Sequence, residues 1–457
     1  MSRLRRSSGK SKSTLYLILL LIILLSTGLC FFLFFEGESP LATIDQPQSY
    51  IGAQSEITVT AKDSKSGLQS VKLTISQDGI TKELFTTVFP RKGYTGAIGQ
   101  AADQRKLIFK PKEAGFKDGP ATITFTATDY SARNFLKGNA TSANRDVVID
   151  TTPPKISIIH SERYIIPGGS GIVIYRLNDQ EAKHGTVVNN NYFPGFLVGD
   201  GREDTNISYF ALSYKSESLA NSFVIAEDRA GNQSKISFAT IYKKKNFKKD
   251  RINVGDNFLN KKIPEFEQNY SDMQGNSVEK YLFVNNEVRQ QNNNQISLLC
   301  KKPHPERLWS GSFRRMPGSN RSGYADHRTY YYADKPIDKQ VHLGIDIAST
   351  KHANVNASQK GLVVHADYLG IYGNMVLLDH GQGVFSLYSH LSQINVAPGD
   401  QVDQGSLLGL TGTTGMAGGD HLHFSMLVHG IFVTPKEWWD QHWIDVTIEE
   451  PLTDSRF

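Results

Sequence analysis

The pattern of apolar and polar positions divides the chain into three regimes. Residues 14–35 run without a single charge, preceded by Arg3, Arg5, Arg6, Lys10 and Lys12. About 20 apolar residues cross a bilayer, and a basic flank stays on the cytoplasmic side. The pattern therefore predicts a cytoplasmic basic tail (1–13) and a single transmembrane helix (14–35), with the bulk of the chain outside. A cleaved signal peptide has a shorter apolar run and a small-residue cleavage site. This run closes on five large residues at 31–35, and Pro40-Leu41-Ala42 is a poor cleavage match. An uncleaved anchor is expected.

The middle of the chain alternates with period two. Segments 57–61, 71–75 and 121–126 alternate β-branched or aromatic residues with polar ones, and turn-formers at 63–67 and 77–79 separate them. Short alternating strands between turns predict an antiparallel sandwich over 41–152. Pro153-Pro154 breaks the pairing and opens a second module, 153–244. The two modules share a loose repeat. A strand ends in Ala-x-Asp at Asp129 and again at Asp228, and a turn closes on Asn134 and on Asn232. This pattern resembles bacterial immunoglobulin-like domains, which usually space or bind. Asp63, Asp129 and Asp228 sit where strands become turns, so a turn-capping role is expected for them. The lysine run 243–249 reads as a solvated linker within a partly helical connector, 245–305. Val278, Tyr281, Leu282 and Val288 recur at helical spacing. The polar stretch 290–295 is expected to end that helix, which should dock on the domain that follows.

Composition changes this picture little. With 39% hydrophobic and 21% charged residues the chain is a folding one, and a net charge of +5 over 457 residues does not call for nucleic acid. Two cysteines, one of them Cys30 in the apolar run, exclude a disulfide framework. Histidine is informative: ten of thirteen lie from His327 onward. Imidazole chemistry belongs to the last third.

There, His421-Leu422-His423 lies in an apolar setting that reads as a strand, and residues two apart on a strand face the same way. The pair would aim at one point. His342 and Asp346 are four apart, with Gly344 between them. On a straight strand they would be roughly 13 Å apart at about 3.3 Å per residue, so one metal could join them only across a bend, which glycine permits. Zinc takes His nitrogen and Asp oxygen, and catalytic sites keep three protein ligands and an open position. His342, Asp346 and one histidine of the 421/423 pair make such a set. Residues 373–388 read as two apolar strands joined by a Gly-rich tetrad, a hairpin leading to His390.

These residues, with Asp379-His380-Gly381, Tyr388-Ser389-His390-Leu391 and Pro398-Gly399-Asp400 in the same order, resemble the lysostaphin-type, LytM-like zinc peptidoglycan endopeptidases. The likeness covers about 335–440. It departs at the loop 415–420 and at Ser425, where an acid is common. The resemblance implies a mainly β peptidase domain (306–457, core 335–440) of the duplicated hybrid motif type. It implies one Zn2+ held by His342, Asp346 and His423, with His421 and His390 catalytic. It also implies a substrate, the peptide cross-links of peptidoglycan, and a single-pass place in the bacterial inner membrane with the catalytic domain outside the cytoplasm. The immunoglobulin-like modules could engage an envelope protein, and a scaffold led by them is a further class. A non-catalytic activator of other wall hydrolases is the main alternative; such relatives usually lack ligands, and here none is missing.

Of the remaining residues, His352, His365, His380, His429 and His442 read as structural or exposed. Tyr388 is either core or cleft. Thr434-Pro435 starts a helix whose tryptophans, Trp438, Trp439 and Trp443, are expected at the domain's edge. Arg314, Arg315, Asp326, His327 and Arg328 are expected to wall the cleft.

Overall fold

The computed structural model describes residues 12–45, 49–93 and 98–455. Arg3, Arg5, Arg6 and Lys10 of the basic flank lie outside them. The first element is the helix Lys12–Phe34, whose leucines and isoleucines face outward, more than half exposed from Leu15 to Leu25. Among the described residues it is the one helix long and apolar enough to cross a membrane. Apart from one short helix, the regular elements after it, up to the connector helices, are β-strands.

The chain divides into two compact units, 1–153 with 228–232, and 154–227 with 233–457. The first contains a three-stranded sheet (Leu41–Asp45, Ser55–Lys62, Ala102–Phe109) and a five-stranded one built on Leu68–Gln77, Gly119–Asp129 and Ala140–Ile149. Alternation does what period two requires: Ile57, Val59, Ala61, Val71, Leu73, Ile75, Ile123 and Phe125 turn inward to a single core. The acids cap turns as expected. Asp63 Oδ1 accepts from the amides of Lys65 and Gly67, and Asp129 Oδ1 from those of Ser131 and Asn139. Asp228 Oδ1 accepts from the amides of Ala230 and Asn232. The repeat is real, but its asparagine partner differs. Asp228 Oδ2 accepts from the Asn232 side chain, and Asp129 Oδ2 accepts from Asn139, not Asn134. A short helix, Arg133–Leu136, is inserted between Asp129 and its partner.

The second unit begins with two four-stranded sheets, one centred on Ser170–Leu177 and Thr205–Ala211, the other on Lys183–Val188 and Ser222–Glu227. Their core is continuous with that of the last third. Tyr209 meets Trp309 and Trp438, and Glu437 accepts from the Ser170 amide at 2.9 Å. Trp438 is therefore fully buried at the centre of an aromatic cluster, not at an edge. Pro435 occupies the first helical turn as read, while Thr434 precedes it without a side-chain cap bond.

The connector holds helices Asp256–Glu267 and Ser277–Phe283. The latter continues through 284–288 into Arg289–Leu299. The polar stretch 290–295 does not end it, because its polarity is used inward. Asn292 is buried and accepts from the Ile371 amide, Asn293 accepts from the Tyr372 hydroxyl, and Ile296 is buried beside them. The large sheet of the last third runs Ser319–Ser322, Ile345–Ala348, Leu422–Val428, Val384–Ile394, Asn374–Asp379 and Gly361–Tyr368. The expected hairpin is present, Asn374–Asp379 pairing antiparallel with Val384–Ile394.

Candidate active site

Three neighbouring strands bring the imidazoles together. Asp346 stands directly opposite His423 across one pair, and His423 opposite Ser389 across the next. His342 lies just after Lys335–Val341, a strand of a separate three-stranded sheet, where the chain breaks before entering the large sheet at Ile345. That break closes the gap a straight strand would leave: His342 Nε2 is 2.9 Å from Asp346 Oδ1. The glycine between them answers to crowding more than to bending. A Cβ at Gly344 would lie 2.5 Å from both His423 Nε2 and Ser425 Oγ.

His342 Nε2 and His423 Nδ1 are 2.8 Å apart, and His423 Nδ1 is 2.9 Å from Asp346 Oδ1. All three residues are buried. The outer partners fix which atoms carry hydrogen. His342 Nδ1 donates to the Gly323 carbonyl at 2.8 Å, which turns its Nε2 lone pair inward. His423 Nε2 sits 3.1 Å from the Ser425 hydroxyl, and the tautomer that donates there turns the Nδ1 lone pair inward. In that tautomer two nitrogens and a carboxylate oxygen face one another with no hydrogen between them. Such a set repels itself unless a cation sits among them, and its spacing lets one ion lie about 2.0–2.2 Å from each atom. The donor set fits zinc. Asp346 Oδ2 is taken by the Arg328 guanidinium at 3.1 Å. Burial alone would raise the Asp346 pKa, but when the rings carry protons the charge and hydrogen bond of His342, with the hydrogen bonds of His421 and His423, hold it well below the usual carboxylate range.

His421 and His390 flank this centre. His421 precedes Leu422–Val428 and aims at the same point, its Nε2 3.4 Å from Asp346 Oδ1. Its Nδ1 donates to the Gly419 carbonyl at 2.7 Å, so Nε2 is the free nitrogen. Burial opposes charging His421, but the hydrogen bond and charge of Asp346 outweigh it and raise the pKa. His390 Nδ1 donates to the Thr414 carbonyl at 2.9 Å, which also frees its Nε2. Burial, reinforced by His421 and His423, pushes the His390 pKa well down. The two rings are 4.9 Å apart. His390 has φ of +64°, rare for a residue with a Cβ, at a register shift where its strand pairs with Asn374–Asp379. Strain of this kind gathers at functional sites, and the irregularity re-aims the side chain.

The structure brings all five sequence-derived residues, His342, Asp346, His390, His421 and His423, into one cleft of about 560 Å³. Of the five residues expected to wall it, only Arg328 does. Arg314 and Arg315 bond to neighbouring loops, and Asp326 caps the amide of Gly323. The connector, expected only to dock on the domain that follows, also lines the cleft through Phe258, Tyr281 and Arg289. Tyr372, which meets the His423 ring edge-on at 5.9 Å, was also missed. Tyr388 belongs to the core: its hydroxyl accepts from the Ser358 amide and lies 2.9 Å from Ser386 Oγ, which reaches His380.

Residues 340–435 match the model of Peptidase family M23. Over 96 residues the chain is 38% identical to the DD-carboxypeptidase/endopeptidase Mpg of Neisseria meningitidis serogroup B, covering 21% of this chain and 22% of that protein. It is 38% identical over 97 residues to the peptidoglycan DD-endopeptidase ShyA of Vibrio cholerae, covering 21% and 23%. It is 35% identical over 95 residues to the murein hydrolase activator EnvC of Escherichia coli, covering 21% and 23%. The chain thus spans less than a quarter of the length of these curated relatives. Arg289, Arg321 and Arg328 lie outside the matched residues, whereas His342, Asp346, His390, His421 and His423 all lie inside them. The likeness to peptidase family M23 is thus carried by residues 340–435, which hold the whole histidine and aspartate cluster.

Proposed function

We propose that the protein is a membrane-anchored zinc endopeptidase that hydrolyses peptide cross-links of bacterial peptidoglycan. The observation that carries this reading is the close triangle of His342 Nε2, Asp346 Oδ1 and His423 Nδ1 beside two further imidazoles. Zinc bound there supplies a Lewis acid for the scissile carbonyl and lowers the pKa of a water. His342, Asp346 and His423 hold the ion, and Gly323, Ser425 and Arg328 orient those ligands. His421, its Nε2 beside the ligand oxygen, takes the proton of the attacking water and passes it to the leaving amine. His390 Nε2, fixed by the Thr414 carbonyl, stabilises the charge that develops on the carbonyl oxygen. The helix Lys12–Phe34 serves as a single-pass inner-membrane anchor, with the N-terminus cytoplasmic and the peptidase outside. Residues 41–152 and 153–244 serve as immunoglobulin-like modules that space the enzyme from the membrane and engage an envelope partner. The last third, 306–457, is then a duplicated hybrid motif.

The likeness to EnvC favours one rival, a non-catalytic activator of another hydrolase. Purified full-length protein should contain one zinc per chain and release cross-link products from defined cell walls, as read by mass spectrometry of muropeptides. Chelation should stop this. Absence of zinc and of products, with stimulation of a second hydrolase instead, would establish the activator.

A further inference from the structure

Three guanidiniums line the cleft, those of Arg289, Arg321 and Arg328, against two carboxylates, Asp346 and Asp420. Arg328 is paired with Asp346. Asp420 is occupied by neutral donors, the Thr411 hydroxyl at 2.6 Å and the His352 amide at 3.2 Å. Among the described residues neither Arg289 nor Arg321 forms an ion pair. A cation bound by the histidines would add to this excess of positive charge.

The two unpaired arginines are placed differently. Arg321 lies on Ser319–Ser322, which pairs with the strand carrying Asp346. Asn320 stands opposite Ile347 and Ser322 opposite Asp346, so Arg321 is the extra residue of a bulge. A bulge leaves one residue outside the ladder and re-aims its side chain. Here that side chain is exposed and borders the cleft. Arg289 opens the helix Arg289–Leu299, which also borders the cleft. Asn285 holds it twice, accepting Nε–H at its carbonyl (3.0 Å) and Nη2–H at its side chain (2.5 Å). Asn285 in turn donates to Asp338. The guanidinium is thus held in one orientation while part of its donor set is unused. A fixed, partly satisfied guanidinium is suited to a carboxylate, which takes two parallel N–H bonds.

We infer that Arg321 and Arg289 form a carboxylate-recognition subsite, so that the preferred substrate is a peptide carrying a free carboxylate close to the scissile bond. This rests on the peptidase reading above. The carboxylate has two possible sources in a stem peptide, the chain terminus and the side-chain carboxyl of a diamino acid.

The test uses full-length protein in detergent and three synthetic cross-linked stem-peptide dimers joined by a D-alanyl–diaminopimelate bond. One keeps all its carboxylates, one has the chain terminus as a primary amide, and one has the diaminopimelate carboxyl as a primary amide. One amidation should lower kcat/KM about tenfold or more, the loss expected when a charge-assisted pair is removed, and the probe affected identifies the source. In Arg321→Gln and in Arg289→Gln the ratio of carboxylate to amide kcat/KM should collapse toward one, mainly through KM. Arg321→Lys should restore part of it. Lys436→Gln, exposed and outside the cleft, should keep the wild-type ratio. Equal cleavage of all three dimers by the wild type, or an unchanged ratio in both glutamine variants, overturns the subsite and leaves the peptidase reading standing. Cleavage of none of them, by protein that contains zinc, overturns the peptidase reading for this bond and the subsite with it.

Discussion

Gly344 and His423 touch so closely that the first could not carry a side chain: a Cβ at 344 would sit 2.5 Å from His423 Nε2. The same Cβ would meet the Phe424 carbonyl at 2.6 Å. Backbone cannot step aside as a flexible side chain can, so Gly344→Ala must displace the His423 ring or the strand beneath it. Overpacking of this kind costs about 1–3 kcal/mol. The expected result is a folded protein with zinc affinity lowered at least tenfold, measured in a metal-buffered titration, and little hydrolytic activity. Wild-type metal affinity in Gly344→Ala would show that the close approach is not what positions His423.

His421 and His423 are two residues apart and face one point, yet their outer partners separate them. His423 is held through Ser425, His421 through the Gly419 carbonyl. His423→Ala should lose zinc altogether. His421→Ala should keep its zinc while kcat falls about 10²–10⁴-fold, the usual weight of a general base. Ser425→Ala should weaken zinc binding about 10–100-fold, as loss of a ligand's outer partner does. Zinc content by mass spectrometry, set beside turnover, distinguishes the three. Loss of zinc in His421→Ala would reverse the assignment of ligand and base.

The pair was legible in the sequence because period-two alternation survives translation into a sheet without loss. So was the hairpin 374–394, and so were the capping acids, whose chemistry is local. The aromatic cluster was not legible. Trp438 follows a helix start that looks peripheral, and only the packing of Tyr209 and Trp309 from distant segments buries it. The connector misled for a related reason. Asn292 and Asn293 look like helix-ending polarity, but each satisfies a backbone or hydroxyl group of the loop 370–373 from nearly eighty residues away. A single sequence carries no mark that separates a solvated asparagine from a buried, bonded one. The reason for Gly344 was half legible: the break in the strand could be read, and the crowding by His423 and Ser425 could not.

The connector also reaches the loop that holds His390. Lys262, almost fully buried, donates to the Thr413 carbonyl, and Glu265 accepts from the Gly415 amide at 2.5 Å. Between those anchors lies Thr414, whose carbonyl holds His390 Nδ1. Lys262 is thus a positioning residue, acting on His390 through a loop it clamps from both sides with Glu265. Lys262→Met keeps much of the apolar stem and removes the donor. Since a displacement of about 1 Å at a catalytic group can cost about 10²-fold, kcat should fall about ten- to hundredfold. KM and zinc content should stay near wild type, and Lys262→Arg should recover part of kcat. A variant that loses zinc and kcat together would point to a general structural role instead.

Away from the cluster of His342, Asp346 and His423, His380 should make the stability of its domain acid-sensitive. It is fully buried, with Nδ1 donating to the Lys360 carbonyl at 2.7 Å and Nε2 2.7 Å from Ser386 Oγ. Burial lowers its pKa from 6.5 to about 4, and the Lys360 carbonyl offsets this only in part. The native state therefore keeps His380 neutral in a pH range where the unfolded chain already binds a proton. Above about 6.5 both states are neutral and nothing is lost. As pH falls from 6.5 toward 4 the unfolded state gains the proton and the native state does not, so stability declines, by at most about 1.4 kcal/mol per pH unit for one group. His380→Gln breaks the contacts to Lys360 and Ser386 and should be less stable than wild type at pH 7.5. It carries no proton-binding penalty, so the gap between the two should narrow as the pH is lowered through this window. Denaturant unfolding of the zinc-loaded protein at pH 7.5, 6.0 and 5.0 measures the gap, and a gap independent of pH would show that His380 does not stay neutral in the native state.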